Sequence, residues 1–188
     1  MAVLESTGGI SAGEGNSEVV EEVRVGKNKI KYIERYKDEI EKLGNVKITV
    51  EGNTVRISGD ALSCYTTKRV VKSLARCFKK EDAFLLFNED YMLYVIPISK
   101  NKRALYRIRS RLIGTRGRVK REIEQLTRTK ISVYGKTVSI IGRGEEIEIA
   151  RTAIEKIIAG ASHSKVFGFI CLLYTSPSPR DLSTPRMP

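Results

Sequence analysis

The sequence predicts an α+β fold made of two copies of one small unit, each a three-stranded antiparallel sheet packed on helices. Three observations predict it. First, residues 39–59 (EIEKLGNVKITVEGNTVRISG) align without a gap on 122–142 (EIEQLTRTKISVYGKTVSIIG). The matches run from Ile40/Ile123 and Leu43/Leu126 through Lys47/Lys130, Ile48/Ile131 and Val50/Val133 to Gly52/Gly135, Val55/Val138, Ile57/Ile140 and Gly59/Gly142. Chance similarity between helices would not hold one register across a helix, a turn and two strands. Second, each copy reads in the order strand, helix, helix, strand, strand, helix. Third, 188 residues with 41% hydrophobic side chains allow two small cores.

The elements follow in order. The first copy gives a strand over 19–25, helices around 29–43, strands over 47–50 and 54–58, and a helix over 66–78. A short bridging helix is expected over 81–87, with acidic residues in its first turn, where the helix dipole favours them. Lys79 and Lys80 then suit the C-terminal end of the helix before it. The second copy gives a strand over 91–99 and a helix over 103–112. Val119, Ile123 and Leu126 recur at helical spacing, and mark a second short helix. Residues 130–133 and 137–141 alternate and are β-branched, with a tight turn at Tyr134-Gly135-Lys136 between them. A final helix over 145–159 carries Ile147, Ala150, Ile154 and Ile157 on one face, and Gly142-Arg143-Gly144 reads as the turn before it.

The ends follow neither copy. Residues 1–17 are rich in Gly, Ser and Glu and read as a flexible lead-in. From Cys171 the chain runs CLLYTSPSPRDLSTPRMP, and four of its five prolines fall in the last twelve residues. That stretch resembles translated vector or adapter sequence, so 170–188 is set outside the fold as a non-native tail. The expected domains are therefore 18–80 and 81–169, the second including the connector.

Composition narrows the function. With 34 Lys and Arg against 22 Asp and Glu, the formal charge is +12 and the isoelectric point about 9.7. A surplus of that size favours a polyanionic partner. No apolar run reaches the length of a membrane span and no signal peptide opens the chain, so nucleic acid is preferred over a membrane. Cys64, Cys77 and Cys171 form no CxxC pair; Cys64 and Cys77 read as buried or half-buried thiols of a reducing compartment. His163 is the single histidine, which leaves little from which to build a zinc site or a nucleophile–base pair. It reads as a capping or surface residue. No enzyme, metal or cofactor is expected.

The chemistry concentrates at Ile113-Gly114-Thr115-Arg116-Gly117, between two helices of the second copy. Two glycines three apart allow backbone amides to approach a phosphate where a Cβ would hold it off. Thr115 and Arg116 at the tip can donate to phosphate oxygens, and Arg118, Lys120 and Arg121 place positive charge at the start of the next helix. Arg111 before the loop and Lys130 on the following strand complete the expected contacts. Arg107, Arg109 and Arg111 fit either a solvated helix face or an RNA face. Ile113, Ile131 and Val133 fit either an apolar floor for unstacked bases or ordinary core. In the first copy the same register reads Lys31-Tyr32-Ile33-Glu34, without either glycine and with a carboxylate at the last position. That copy is expected not to clamp RNA.

A GxxG between the first two helices of this element order is the plan of the type I KH domain, whose loop clamps the backbone of about four nucleotides. The stretch RLIGTRGRVKREIEQLTRTKISVYGKTVSIIG, with FKKEDAFLLFNEDYMLYVIPI before it and GEEIEIARTAIEKIIAGASHSKVFGF after it, resembles the partner-of-NOB family of small-subunit ribosome assembly factors. The resemblance covers roughly residues 20–169 and fits an archaeal-type member. It implies two tandem type I KH domains and a factor that binds the 3′ region of small-subunit pre-rRNA. It also implies partnership with a PIN-domain rRNA endonuclease and with the α-subunit of initiation factor two, in the cytoplasm or, in a eukaryote, the nucleus and nucleolus. The competing readings are a protein adaptor for that endonuclease and a general KH factor of RNA decay.

Overall fold

The structure, a computed structural model, describes residues 19–175. The expected lead-in at 1–17 and the Pro-rich stretch from 176 onward lie outside the described residues. The chain divides between Glu89 and Asp90 into two compact units.

The first unit runs β1 (Val19–Arg24), α1 (Lys27–Arg35), α2 (Lys37–Gly44), β2 (Val46–Glu51), β3 (Thr54–Gly59), α3 (Ala61–Ala75) and α4 (Lys80–Phe84), followed by a 3-10 turn over Leu85–Phe87. Its sheet has the order β1-β3-β2, with both pairings antiparallel. The second runs β4 (Tyr91–Pro97), α5 (Lys102–Ile113), a 3-10 turn over Thr115–Gly117, α6 (Arg118–Thr127), β5 (Lys130–Tyr134), β6 (Thr137–Arg143), α7 (Gly144–Ile158) and α8 (His163–Thr175). Its sheet, β4-β6-β5, repeats the first. In each unit the last strand in sequence lies in the middle, so the strands before it become edges.

The sequence repeat is a repeat of physical devices. Asn45 and Arg128, each just after the second helix of its unit, are both left-handed, at φ 49° and 54°. Gly52 and Gly135 both turn their hairpins at φ 58°. At the next shared glycine the strand presses on the residue at, or just before, the start of the preceding one: a Cβ on Gly59 would meet Val46 at 3.2 Å, and one on Gly142 would meet Thr129 at 2.7 Å. The carboxylates repeat as well. Glu41 accepts a hydrogen bond from the Ile48 backbone at 2.6 Å, and Glu124 accepts one from the Ile131 backbone at 2.7 Å. The donors Ile48 and Ile131 lie on the edge strands β2 and β5, where an outward N–H has no neighbouring strand to pair with. Lys37 and Lys120, one turn earlier, flank the two carboxylates at 3.8 and 3.5 Å.

The second unit's core gathers Ile96, Ile108, Leu112, Val119, Ile123, Ile131, Val138 and Ile140 with one face of α7. Ile147, Ala150, Ile154 and Ile157 provide that face, at the expected helical spacing. Ile131 is therefore core, and Val133 is partly buried against it.

Five expectations change. Helix α3 begins at Ala61, five residues before the expected start, because Asp60 caps it by accepting from the Leu62 amide at 3.1 Å. The segment 81–89 packs within the first unit, against α3, instead of joining the second. There Lys80 donates to Glu39 at 2.8 Å and lies over the rings of Tyr36 and Phe84, so it anchors α4 rather than closing the preceding helix. The hydrogen bond to Glu39 holds its ammonium above the usual lysine range. Cys77 is exposed, in a left-handed turn at φ 68°, whereas Cys64 is buried. Finally, α8 was not expected, and the fold does not end at 169. Ile170 is wholly buried beside Val166, and the helix continues to Thr175.

Removing either of these helix carboxylates leaves a half-buried edge-strand amide unpaired. Glu124→Ala should lower stability by about 1–2 kcal/mol, and Glu124→Gln, which keeps an accepting oxygen, by less. Urea unfolding followed by circular dichroism measures both.

Candidate nucleic-acid interface

The loop between α5 and α6 is built by backbone conformation. Helix α5 ends at Gly114, whose φ of 70° and ψ of 177° turn the chain sharply out of the helical path. Arg116 follows at φ 51° and ψ 28°, and Gly117 at φ 75° and ψ 18°, so three of four loop residues have positive φ. The Gly117 amide donates back to the Gly114 carbonyl at 3.1 Å and closes the turn.

The two glycines are required for different reasons. A Cβ on Gly114 would strike the Val119 side chain at 2.5 Å, so the loop can only cross α6 at a glycine. A Cβ on Gly117 would meet nothing within 4 Å. Gly117 is needed for its left-handed φ and for the open space above it, into which another chain can bring a backbone.

The basic residues divide into two groups. Thr115, Arg116 and Arg118 stand exposed at the tip and at the start of α6. Arg118 reaches Glu122 only at 4.0 Å, with its side chain 83% accessible. Arg121 turns back on the loop, donating to the Arg116 carbonyl at 2.9 Å and, more weakly, to the Gly117 carbonyl at 3.4 Å. It braces the turn by engaging two of its carbonyls. Lys120 is drawn to Glu124. Lys130 is exposed at the start of β5, and Ile113 is half-buried at the last position of α5.

Arg111 takes a role that the sequence did not suggest. Its guanidinium donates to the carbonyls of Ile157, at 3.0 Å, and Ala161, at the C-terminal end of α7. These bonds tie α5 to the end of α7 and the turn that follows it. His163, the first residue of α8, donates from Nε2 to the Arg111 carbonyl at 3.1 Å. The single histidine is thus a structural clasp. Repeated basic residues look alike in sequence; only the fold shows which of them face carbonyls.

Helix α5 carries five Lys and Arg and no acidic residue, and no acid occupies the first turn of α6. Among the described residues, no cluster of three or more His, Cys, Asp or Glu could hold a metal ion, and no helix is long and apolar enough to cross a membrane.

Comparison with known proteins places this geometry in a family. A model for the second KH domain of PNO1, described as a eukaryotic type KH-domain (KH-domain type I), matches residues 92–172. A KH domain-containing protein of Methanocaldococcus jannaschii is 33% identical over 175 residues, which span 83% of this chain and 74% of that protein. The chain belongs to the PNO1/Dim2 family of KH-domain proteins. Dim2p of Pyrococcus horikoshii, solved by crystallography, is similar at a TM-score of 0.75 and 37% identity, over 80% of this chain and 97% of that one. A chain in the crystal structure of the a/eIF2alpha–aDim2p–rRNA complex of the same organism is similar at a TM-score of 0.80 and 35% identity, over 85% and 96%. The pre-rRNA-processing protein pno1 of Aspergillus fumigatus is 31% identical over 63% of this chain; the chain spans about half the length of that relative. The matched KH segment runs past residue 170, in agreement with the buried Ile170.

The contrast between the glycines is measurable. Gly117→Ala should cost about 1–2 kcal/mol, the strain of a left-handed alanine. Gly114→Ala adds overpacking against Val119, and should cost a further 1–3 kcal/mol or so. Thermal melts of the two variants should rank them in that order.

Proposed function

We propose that this chain is a non-catalytic RNA-binding factor of ribosome biogenesis, made of two tandem KH domains. The second of them holds the 3′ region of small-subunit pre-rRNA at the Gly114–Gly117 loop. One observation carries the reading: the loop has positive φ at both glycines, an exposed Thr115-Arg116 tip, and open space above Gly117 where a backbone phosphate can approach. Thr115, Arg116, Gly117 and Arg118 contact phosphate, Lys130 adds charge from the strand, and Ile113 gives the loop an apolar border. Arg121 and Lys120 shape the site from beneath, and Arg111 holds α5 in place.

The relatives support the polyanion as ribosomal RNA. Their names describe pre-rRNA-processing and RNA-binding proteins, and one structural neighbour was crystallised with rRNA and a/eIF2alpha. The α-subunit of initiation factor two is accordingly proposed as a protein partner. A PIN-domain endonuclease partner rests on the sequence resemblance alone, and so does a cytoplasmic or nucleolar site of action.

The structure selects the variant for the test. Substitution at Gly114 disturbs packing on Val119, whereas Gly117→Asp opens onto free space, and aspartate tolerates the left-handed region. Full-length chain titrated with a labelled small-subunit rRNA 3′-end fragment should bind in a strongly salt-dependent manner. Gly117→Asp should stay folded and lose about 10-fold or more in affinity, because it sets a carboxylate against phosphate. Equal binding by the folded variant would sink the loop assignment.

A further inference from the structure

A groove of about 620 Å³ opens beside the loop on the outward side of α5. Its lining includes Tyr106, Arg107, Ser110, Arg111, Thr115, Arg118 and His163, together with Gly114 and Val119. None of its lining residues is acidic. Tyr106 is 78% exposed, more than any other large apolar side chain among the described residues. A lone exposed tyrosine is ordinary on a protein surface. This one lies in a groove between two guanidinium-bearing positions, one turn from Ser110 and about 12 Å along the helix from Gly114.

We propose that this groove continues the RNA path beyond the glycine loop. An unpaired base stacks on the ring of Tyr106, and the flanking backbone phosphates meet Arg107 and Arg118. The inference rests on the proposed RNA-binding reading and adds a second subsite to it. Gly114, Thr115 and Arg118 belong to both the loop and the groove, so a strand held at the loop can leave it across α5 without losing contact. The volume is of the size that takes a nucleoside-sized ligand. An aromatic face with cationic neighbours binds single strands of any sequence, since every base has a π-face. Arg111 also lines the groove, with two of its N–H groups already given to the carbonyls of Ile157 and Ala161, so Arg107 and Arg118 carry the main phosphate contacts. The His163 bond to the Arg111 carbonyl ties two of the lining residues together. An acidic protein segment is the other ligand that such a lining could take. The continuity with the glycine loop favours RNA.

The test uses the full chain and two single-stranded RNAs from the small-subunit 3′ end, a tetranucleotide that fills only the loop and a decanucleotide that reaches the groove. Tyr106→Ala, a change at an exposed position, should weaken the decanucleotide about 10-fold and leave the tetranucleotide unchanged. Arg107→Gln should reduce the salt slope for the decanucleotide by about 1. The chain has no tryptophan, so Tyr106→Trp creates a unique fluorophore in the groove. Its emission should be quenched by the decanucleotide and not by the tetranucleotide. Undiminished decanucleotide binding by Tyr106→Ala overturns the proposal, as does a Tyr106→Trp emission insensitive to RNA. If Gly117→Asp loses both RNAs while Tyr106→Ala loses neither, the groove fails and the loop reading stands. If the parent chain binds neither RNA, both readings fail.

Discussion

The approach of the Gly114 backbone to Val119 is the constraint on which the second unit's outward face depends. Val119 is a core residue of α6, and α6 must lie close to α5 for both to cover the sheet. The chain connecting them therefore passes so near Val119 that a Cβ would overlap it at 2.5 Å. Only a glycine with positive φ can make that crossing, and the turn it starts throws Thr115 and Arg116 into solvent. Packing of the core and exposure of the loop tip are two results of one steric fact.

Around that crossing, charge is used in two ways. Arg121 and Arg111 donate to backbone carbonyls, one within the loop and one across to the end of α7. Both stabilise geometry. Arg107, Arg116 and Arg118 remain on the surface. A basic surplus of this kind strains a protein by self-repulsion unless some of it is absorbed internally.

The repeat shows what a KH-like unit needs apart from its ligand. The first unit has neither glycine of the loop, yet keeps the left-handed residue after its second helix, the hairpin glycine, the pressed strand glycine and the glutamate that covers the edge-strand amide. Those devices hold three strands and the helices together. The loop glycines are separable from them, since their absence at Lys31 and Glu34 leaves the sheet order unchanged.

The sequence by itself determined the order of strands and helices up to α7, the twofold repeat, the core face of α7 and the position of the glycine loop. Those depend on local periodicity and on residue types with few conformational options. It misplaced the start of α3, because a single Asp60 side chain sets that boundary and an aspartate in a loop has many uses. It missed α8, since a weakly patterned segment becomes a helix only when Val166 and Ile170 find the core. It could not sort the arginines. Alternate basic residues at 107, 109 and 111 look equivalent in one dimension, and only the tertiary structure put the carbonyls of Ile157 and Ala161 within reach of Arg111 while leaving Arg107 at the rim of a groove with Tyr106. Helical phase and long-range neighbours, which pattern alone does not carry, decided which charges build the fold and which face outward.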